Sequence, residues 1–214
     1  MARAREAWWS DPDGAGGISP GRLVFLDECG VLTNMVRLHG RSPRGTRACA
    51  AAPFVRWTRV TVLGALGAEG IVGAMGVEAA TSTTAFHAGL DEVLLPELRR
   101  TEPDAVPAMD NLPAHKAPKV RAPLDASGFG CRYLPAHSPD PNPIEPAWAK
   151  VKAEVRRVAA RTADALHEAL GPALGAITAQ DAAGFFRYCG YGRTAATAVP
   201  VSPQNALTLQ LRFG

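Results

Sequence analysis

Three acidic side chains in this sequence have the chemistry to bind a divalent cation together. Asp27 ends the apolar run RLVFLD, Asp110 ends the run DAVPAMD, and Glu145 follows a proline-rich loop. Three carboxylates in one small volume repel each other, and such a cluster is costly unless a cation joins them. Hard oxygen ligands select Mg²⁺ or Mn²⁺, and two such ions can stabilise the attacking and the leaving oxygen in phosphoryl transfer.

Each of the three acids also has an interpretation that involves no chemistry. Asp27 precedes a glycine by three positions and is typical of a turn, and Asp110 is typical of an Asx turn or a helix cap. Glu145 in the first turn of a helix would complement the helix dipole. The catalytic interpretation therefore depends on convergence, in which two strand ends and one helix start meet at the same edge of a sheet.

The loop before Glu145 is stiffened by proline. Each proline fixes φ, and the loop therefore loses less entropy when it becomes ordered. Asp140 or Asn142 is expected to cap the following helix, and Ile144 and Trp148 are expected to anchor that helix in the core. The prolines concerned are Pro139, Pro141 and Pro143. Such rigidity suits metal-ion catalysis, which tolerates a positional error of about half an ångström.

Hydrophobic patterning predicts the elements that would position these residues. Strands come first and then alternate with helices, which is typical of a mixed α/β fold. Strands are predicted at 22–27, 31–39, 59–67, 71–78, 104–110 and 129–135, and helices at 82–100, 114–127, from 144 onward and at 162–177. Residues 1–20 are predicted to be a flexible leader with room for one short helix, and residues 192–214 a peripheral tail.

Composition is that of a globular protein without a membrane span. Apolar residues make up 47% and charged residues 20%, and no apolar run approaches the roughly 18 residues that a span needs. The four cysteines are scattered without a CxxC pair, which argues against a zinc site and a disulfide framework. With no secretory signal visible, a reducing cytoplasm fits best.

Arginine carries most of the positive charge in a chain of net charge +3. Several arginines follow one another at short intervals: Arg37, Arg41, Arg44, Arg47, Arg56 and Arg59. One interpretation is a solvated face. The other is a strip that contacts phosphates. Both interpretations are open from the sequence alone.

Several motifs together resemble a known family. LVFLDECG, TVLGALG, MDNLPAHK, YLPAHSPDPNPIEPAWAKVK and FRYCGY, in this order, resemble bacterial insertion-sequence transposases of the mariner superfamily. These are DDE transposases with a ribonuclease H-like catalytic domain. The 34 residues between Asp110 and Glu145, numbers 111 to 144, equal the spacing that this branch uses. The resemblance covers about residues 22–191.

The resemblance implies a fold, a site and a reaction. The fold would be a ribonuclease H-like catalytic domain over residues 21–191, with a mixed central β-sheet flanked by helices. Asp27, Asp110 and Glu145 would be the catalytic triad and the ligands of two Mg²⁺ or Mn²⁺ ions. The reaction would be cleavage of a DNA strand at an element's end, followed by attack of the released 3′-hydroxyl on target DNA, typically at a TA dinucleotide.

The resemblance also implies partners. Double-stranded DNA would be bound as element end and as target. A separate helix-turn-helix polypeptide and a second copy of the chain are the protein partners that the resemblance admits. No membrane is involved, and the protein would act in the bacterial cytoplasm at the nucleoid.

Neighbouring residues within the matched motifs have two interpretations each. His115 would contact the scissile phosphate or orient an acid, or it would make a structural hydrogen bond. Lys150 and Lys152 are expected on the exposed side of their helix, where they would meet backbone phosphates or only solvent. Cys29 and Pro113 depart from the residue types usual in the family. Pro107, in a predicted central strand, would remove a ladder hydrogen bond, and Pro118 and Pro123 are expected to interrupt a helix.

Two alternative functions compete with an active transposase. One is an inactive or regulatory transposase fragment that binds DNA or full-length transposase without catalysis. The other is a different ribonuclease H-like nuclease, for instance one that acts on RNA–DNA hybrids. The spacing between Asp110 and Glu145 and the SPDPNPIE loop argue against the second alternative.

Overall fold

A mixed β-sheet forms the centre of the molecule. The computed structural model describes residues 2–12, 14–53, 57–78, 83–192 and 209–211. The strands are β1 (Leu23–Leu32), β2 (Arg59–Gly67), β3 (Gly70–Val77), β4 (Val106–Met109), β5 (Arg132–Tyr133) and β6 (Leu209–Leu211). Their order across the sheet is β5-β4-β1-β2-β3-β6. Strands β1, β2 and β3 pair antiparallel, whereas β4 pairs parallel with β1, β5 with β4 and β6 with β3.

Helices cover both faces of this sheet. They are α1 (Ala2–Ser10), α2 (Thr83–Gly89), α3 (Leu95–Thr101), α4 (Pro118–Ser127), α5 (Ile144–Val158), α6 (Ala163–Gly175) and α7 (Ala179–Tyr188), and a π-helical turn at Leu90–Leu94 joins α2 to α3. The predicted α/β class, with a mixed sheet flanked by helices, is confirmed. In the described part of the chain, no helix has both the length and the apolar character needed to cross a membrane.

Two hydrophobic cores lie on opposite faces of the sheet. Phe25 and Val31 of β1 pack with α5, α6 and α7 in one core, which we call the α5 core. Val24 and Leu26 of the same strand pack with α2, α3 and α4 in the other, which we call the α2 core. Successive side chains of a strand point to opposite faces, so odd-numbered positions of β1 face the α5 core and even-numbered positions face the α2 core.

The prediction that a strand ends at Asp27 is wrong. One strand runs from Leu23 to Leu32, so that Asp27 lies near its middle. The predicted strand at 31–39 is also wrong beyond Leu32. The sequence DECG resembles a turn, but it stays extended because β2 pairs with β1 without interruption from Phe25 to Leu32.

Helix α5 begins at Ile144 as predicted, but its predicted side-chain cap is wrong. Pro143 occupies the N-cap position, where no side-chain hydrogen bond caps the helix. The Asp140 carboxylate instead accepts a hydrogen bond from Arg5 at 2.5 Å. Asn142 is buried, and its Oδ1 has no hydrogen-bond partner among the described residues.

The prolines expected to disturb the fold are accommodated. Pro107 lies inside β4 opposite Val24, while pairing of β4 with β5 begins only at Ala108. Pro118 begins α4 and does not interrupt it, which is the position where a missing N–H costs least. Helix α4 continues past Pro123 to Ser127.

The N-terminal segment packs against the domain and is not a loose leader. Trp8 of α1 is buried, and its Nε1 donates to Tyr191 Oη at 2.9 Å. Arg5 Nε donates to Ser138 Oγ at 3.1 Å. The domain limits at 21 and 191 stay predictions. Beyond residue 192 only β6 is described, at the edge of the sheet next to β3, and the peripheral character of the remaining tail lies outside the described residues.

Candidate active site

Strand register brings Asp27 and Asp110 next to each other. The last parallel pair between β1 and β4 is Leu26 with Met109, and the two aspartates are the residues that follow. Side chains alternate along a strand, so Asp27 is on the α5-core face of the sheet. Asp110 is the first residue beyond β4, where strand alternation no longer fixes the direction of its side chain. Asp27 is buried, whereas the Asp110 side chain is about one-third exposed, at 35%.

Glu145 lies on a helix that packs against the α5-core face of the sheet, the face toward which Asp27 points. It lies in the first turn of α5 and is exposed. Three residues later the buried Trp148 packs over Gly64 of β2, where an added Cβ would lie 2.5 Å from Trp148 Cη2. Gly64 pairs with Asp27 across β1 and β2. The glycine therefore allows the start of α5 to approach the sheet closely at the position of Asp27.

The pKa of Asp27 reflects its burial and the acidic side chains around it. Burial raises the pKa of Asp27 from 3.8 to about 7, and the negative charge of Glu145 is the next largest cause. Glu28 and Asp110 add smaller repulsive contributions. A carboxyl group that is desolvated and surrounded by like charges favours its neutral form, so Asp27 would gain from a bound cation.

His115 lies behind Asp110, on the other face of the sheet. Its Nδ1 is hydrogen-bonded to Asp110 Oδ1, and its Nε2 is 3.0 Å from Glu28 Oε2. The ring stacks on Phe86 with centroids 4.4 Å apart, and Phe86 belongs to the α2 core. Burial lowers the pKa of His115, but the hydrogen bonds to Asp110 and Glu28, together with their charges, raise it to about 10. His115 is therefore an imidazolium between two carboxylates.

These contacts distinguish between the interpretations of His115. The residue is 1% exposed, and both ring nitrogens are occupied by carboxylates. No ring atom is left to contact a phosphate, so the geometry favours the orientation of an acid. Glu28 was not among the residues predicted from the sequence, because its contact with His115 spans 87 positions. The alternation of β1 was the one feature that could have placed it opposite to Asp27.

The two lysines of α5 differ from the prediction of an exposed pair. Lys150 Nζ is 2.6 Å from Asp181 Oδ2, and Asp181 completes the capping box of α7 with Thr178. Lys150 therefore joins α5 to α7. Lys152 is half-buried and interacts with the Cys29 thiol, whose pKa burial raises to about 11 while Lys152 opposes the shift. Cys29 lies two residues from Asp27 on the same face of β1.

The three acidic side chains are suitable ligands for a hard divalent cation, although they do not form a compact cluster in the described structure. Asp27, Asp110 and Glu145 offer only carboxylate oxygens, which suit Mg²⁺ and Mn²⁺. Within the described ranges, no group of three or more His, Cys, Asp or Glu side chains forms a metal-binding cluster. The assignment of the triad as metal ligands therefore stays a prediction.

Solved structures share this fold. The chain matches the Mos1 transposase catalytic domain with a TM-score of 0.61 and 18% identity, over 86% of this chain and 84% of that one. It matches a pre-cleavage Mos1 transpososome with a TM-score of 0.66 and 16% identity, over 87% and 58%. It matches a Mos1 mariner paired-end complex with a TM-score of 0.60 and 18% identity, over 78% and 52%. The chain thus spans about half of the length of the Mos1 chain in that complex.

The fold is the ribonuclease H-like fold of DDE enzymes, as predicted. Residues 22–167 match the family described as DDE superfamily endonuclease. Because this match covers more than half of the chain, the chain belongs to the DDE superfamily endonuclease family. No curated protein sequence matches the chain.

Proposed function

We propose that this chain is the catalytic domain of a DNA transposase, in which Asp27, Asp110 and Glu145 hold two Mg²⁺ or Mn²⁺ ions. The observation that carries the proposal is geometric: Asp27 and Asp110 follow the last parallel pair of β1 and β4, and Trp148 packs the start of α5, with Glu145 in its first turn, over Gly64, the residue that pairs with Asp27. Membership of the DDE superfamily endonuclease family supports it. The solved Mos1 catalytic domains with Mn and with Mg support the choice of metals.

The proposed reaction has two phosphoryl-transfer steps. Water first attacks a phosphodiester at the element's end, and the strand breaks to leave a 3′-hydroxyl. That hydroxyl then attacks a phosphodiester of target DNA, at a TA dinucleotide, and one phosphodiester is exchanged for another. Bound divalent ions would neutralise charge on the phosphate and lower the pKa of the attacking group. The three carboxylates would hold the ions, and the packing of Trp148 in α5 would position Glu145.

A basic loop between β1 and β2 supports DNA as the substrate. No acidic residue occurs between Glu28 and Glu69. The loop arginines Arg37, Arg41, Arg44 and Arg47 are all exposed, whereas Arg56 lies outside the described residues. Because phosphate contacts by arginine supply the sequence-independent part of DNA affinity, we assign this loop to the DNA backbone. The solved Mos1 complexes with a transposon end support the same partner.

The biological setting forms part of the proposal. The motifs favour a bacterial insertion sequence, with the protein acting on the nucleoid in the cytoplasm. A helix-turn-helix polypeptide would recognise the element's terminal repeats, and two copies of the chain would pair two element ends. Terminal inverted repeats and a helix-turn-helix reading frame beside the coding region would support this setting.

A strand-transfer assay tests the proposal. A pre-cleaved duplex carrying the element's own terminal repeat is incubated with a supercoiled plasmid and Mg²⁺ or Mn²⁺, with the repeat-binding polypeptide added. Asp110→Ala is expected to lower product formation at least about 100-fold, since metal catalysis supplies several kcal/mol. Glu154→Ala is the matched control, because this acid of α5 pairs only with Arg157 in the described structure. Equal activity of Asp110→Ala and wild type would refute the assigned site.

A further inference from the structure

We propose that His115 and Glu28 form a positioning pair that fixes the Asp110 carboxylate for metal binding. The inference rests on the proposed function, because it assumes that Asp110 is a metal ligand. It concerns residues that would not touch the metal or the DNA. Their role would be to hold a ligand from the opposite face of the sheet.

The contacts of Asp110 leave one carboxylate oxygen available. Oδ1 accepts from the His115 ring and from the backbone N–H of Leu112 at 3.2 Å. Oδ2 has no hydrogen-bond partner within the described ranges. Two bonds to one oxygen fix the plane of the carboxylate, and Oδ2 is left to a cation. Ligand carboxylates are commonly oriented in this way by hydrogen bonds outside the coordination sphere.

His115 is itself held on several sides. Its ring stacks on Phe86, its backbone N–H donates to Leu112 at 3.1 Å, and its backbone oxygen accepts from Tyr133 Oη at 3.2 Å. A ring that is 1% exposed and restrained in this way has one orientation. Asp110 directly follows the four-residue strand β4. The fixed His115 ring therefore restricts the rotation of its side chain.

Glu28 links this arrangement to the strand that carries Asp27. The two acids are consecutive in β1, and Glu28 Oε2 is 3.0 Å from His115 Nε2. The chain of contacts from Glu28 through His115 to Asp110 crosses from β1 to the loop after β4. It consequently adds a side-chain link to the strand register that already places Asp27 and Asp110 next to each other. A preorganised site needs its ligands within about half an ångström of the productive geometry.

The test measures Mn²⁺ binding by electron paramagnetic resonance, without DNA and without turnover. His115→Phe keeps a ring against Phe86 and removes both hydrogen bonds. It is expected to weaken Mn²⁺ binding about 10–100-fold, the usual effect of losing a partner of a metal ligand. Glu28→Ala is expected to weaken binding in the same direction. Glu154→Ala is the matched control for Glu28→Ala, because it also removes a carboxylate, one that pairs only with Arg157 in the described structure, and it should bind Mn²⁺ as wild type does.

A double-mutant cycle separates positioning from a general structural effect. In an Asp110→Asn background, His115→Phe should cause no further loss of Mn²⁺ affinity, since its effect acts through that carboxylate. An equal loss in both backgrounds would overturn the inference. An equal loss in Glu154→Ala would assign the effect to the removal of any nearby charge and would overturn it as well.

The remaining outcomes distinguish this inference from the proposed function. If Asp110→Asn binds Mn²⁺ as tightly as wild type, the metal site itself is wrong. If Asp110→Asn loses binding while folded His115→Phe and Glu28→Ala retain it, the metal site stands and the positioning pair is refuted. If His115→Phe does not fold, Glu28→Ala alone decides, and unchanged Mn²⁺ affinity in that variant overturns the inference.

Discussion

Asp27 is destabilising in the metal-free protein at neutral pH. Its pKa is raised from 3.8 to about 7, first by burial and then by the charge of Glu145. Between these two values the folded protein binds more protons than the unfolded chain. The free energy of unfolding therefore falls as the pH rises from 4 to 7. A side chain that costs stability is typical of a site selected for binding and not for folding.

We predict that Asp27→Asn stabilises the metal-free protein above pH 7. A shift of this size corresponds to a gain on the order of 2–4 kcal/mol at pH 8, because the neutral amide avoids the cost of a buried charge. Near pH 4 the gain should disappear. Urea unfolding in EDTA at both pH values measures the difference, and the exposed Asp125→Asn serves as control. A gain that is equal at both pH values would contradict the assigned electrostatics.

At the scale of elements, the contact between α5 and β2 decides where Glu145 lies. Trp148 is 2% exposed and occupies the space that a side chain at position 64 would need. The apolar stripe of α5, with Ile144, Trp148, Val151 and Val155, was evident in the sequence and is buried in the structure. The contact between Trp148 and Gly64 was not evident, because the two residues are 84 positions apart in the sequence.

We predict that Gly64→Ala displaces α5. The added methyl group would clash with the indole, and overpacking of this kind costs about 1–3 kcal/mol. Because Glu145 lies in the first turn of the displaced helix, strand transfer should fall by more than the loss of folded protein explains. Urea unfolding and the strand-transfer assay measure the two effects.

Gly184→Ala is the matched control for this substitution. Gly184 lies inside α7 and has open space around it, so alanine there should stabilise the helix by about 0.5–1 kcal/mol. Strand transfer should be unchanged. If Gly64→Ala behaved like Gly184→Ala in both measurements, the close approach of α5 would not govern the site.

For the whole molecule, the two ends of the described domain meet at the loop before Glu145. Tyr191 Oη accepts from Trp8 Nε1 and donates to the Pro141 carbonyl at 2.6 Å. Arg5 reaches Asp140 and Ser138 in the same loop. The stiffness of this loop therefore comes from distant partners as well as from its prolines.

We predict that Tyr191→Phe loosens this loop. The substitution leaves the Pro141 carbonyl and the Trp8 N–H unsatisfied in a buried place, which costs about 1–3 kcal/mol. Urea unfolding measures the loss, and limited proteolysis should find new cleavage between residues 136 and 143. Tyr188→Phe is the control, since Tyr188 is 84% exposed. An intact loop in Tyr191→Phe would show that the Tyr191 hydroxyl is not needed to hold it.

Local patterns in the sequence predicted the elements better than their long-range contacts. The hairpin of β2 and β3 was predicted from two strand-like runs with glycines at the turn, and helix α5 from its 3.6-residue period, which are local properties. The leader was predicted wrongly because α1 is held by partners more than 130 positions away. Asp27 was assigned to a strand end because DECG resembles a turn when its strand partners are unknown. The candidate triad and His115 were predicted from the sequence, whereas Glu28 and the choice between the two interpretations of His115 needed coordinates.

The consecutive acids of β1 have a consequence for how this gene can change. Asp27 and Glu28 face opposite sides of the sheet, one toward the α5 core and one toward His115. A deletion or insertion of one residue in β1 before Asp27 would turn the following side chains to the opposite face of the sheet. Asp27 and Glu28 would then exchange faces. Point substitutions can be compensated by neighbours, but a shift in strand length here cannot, and natural variants should keep the length of β1 fixed.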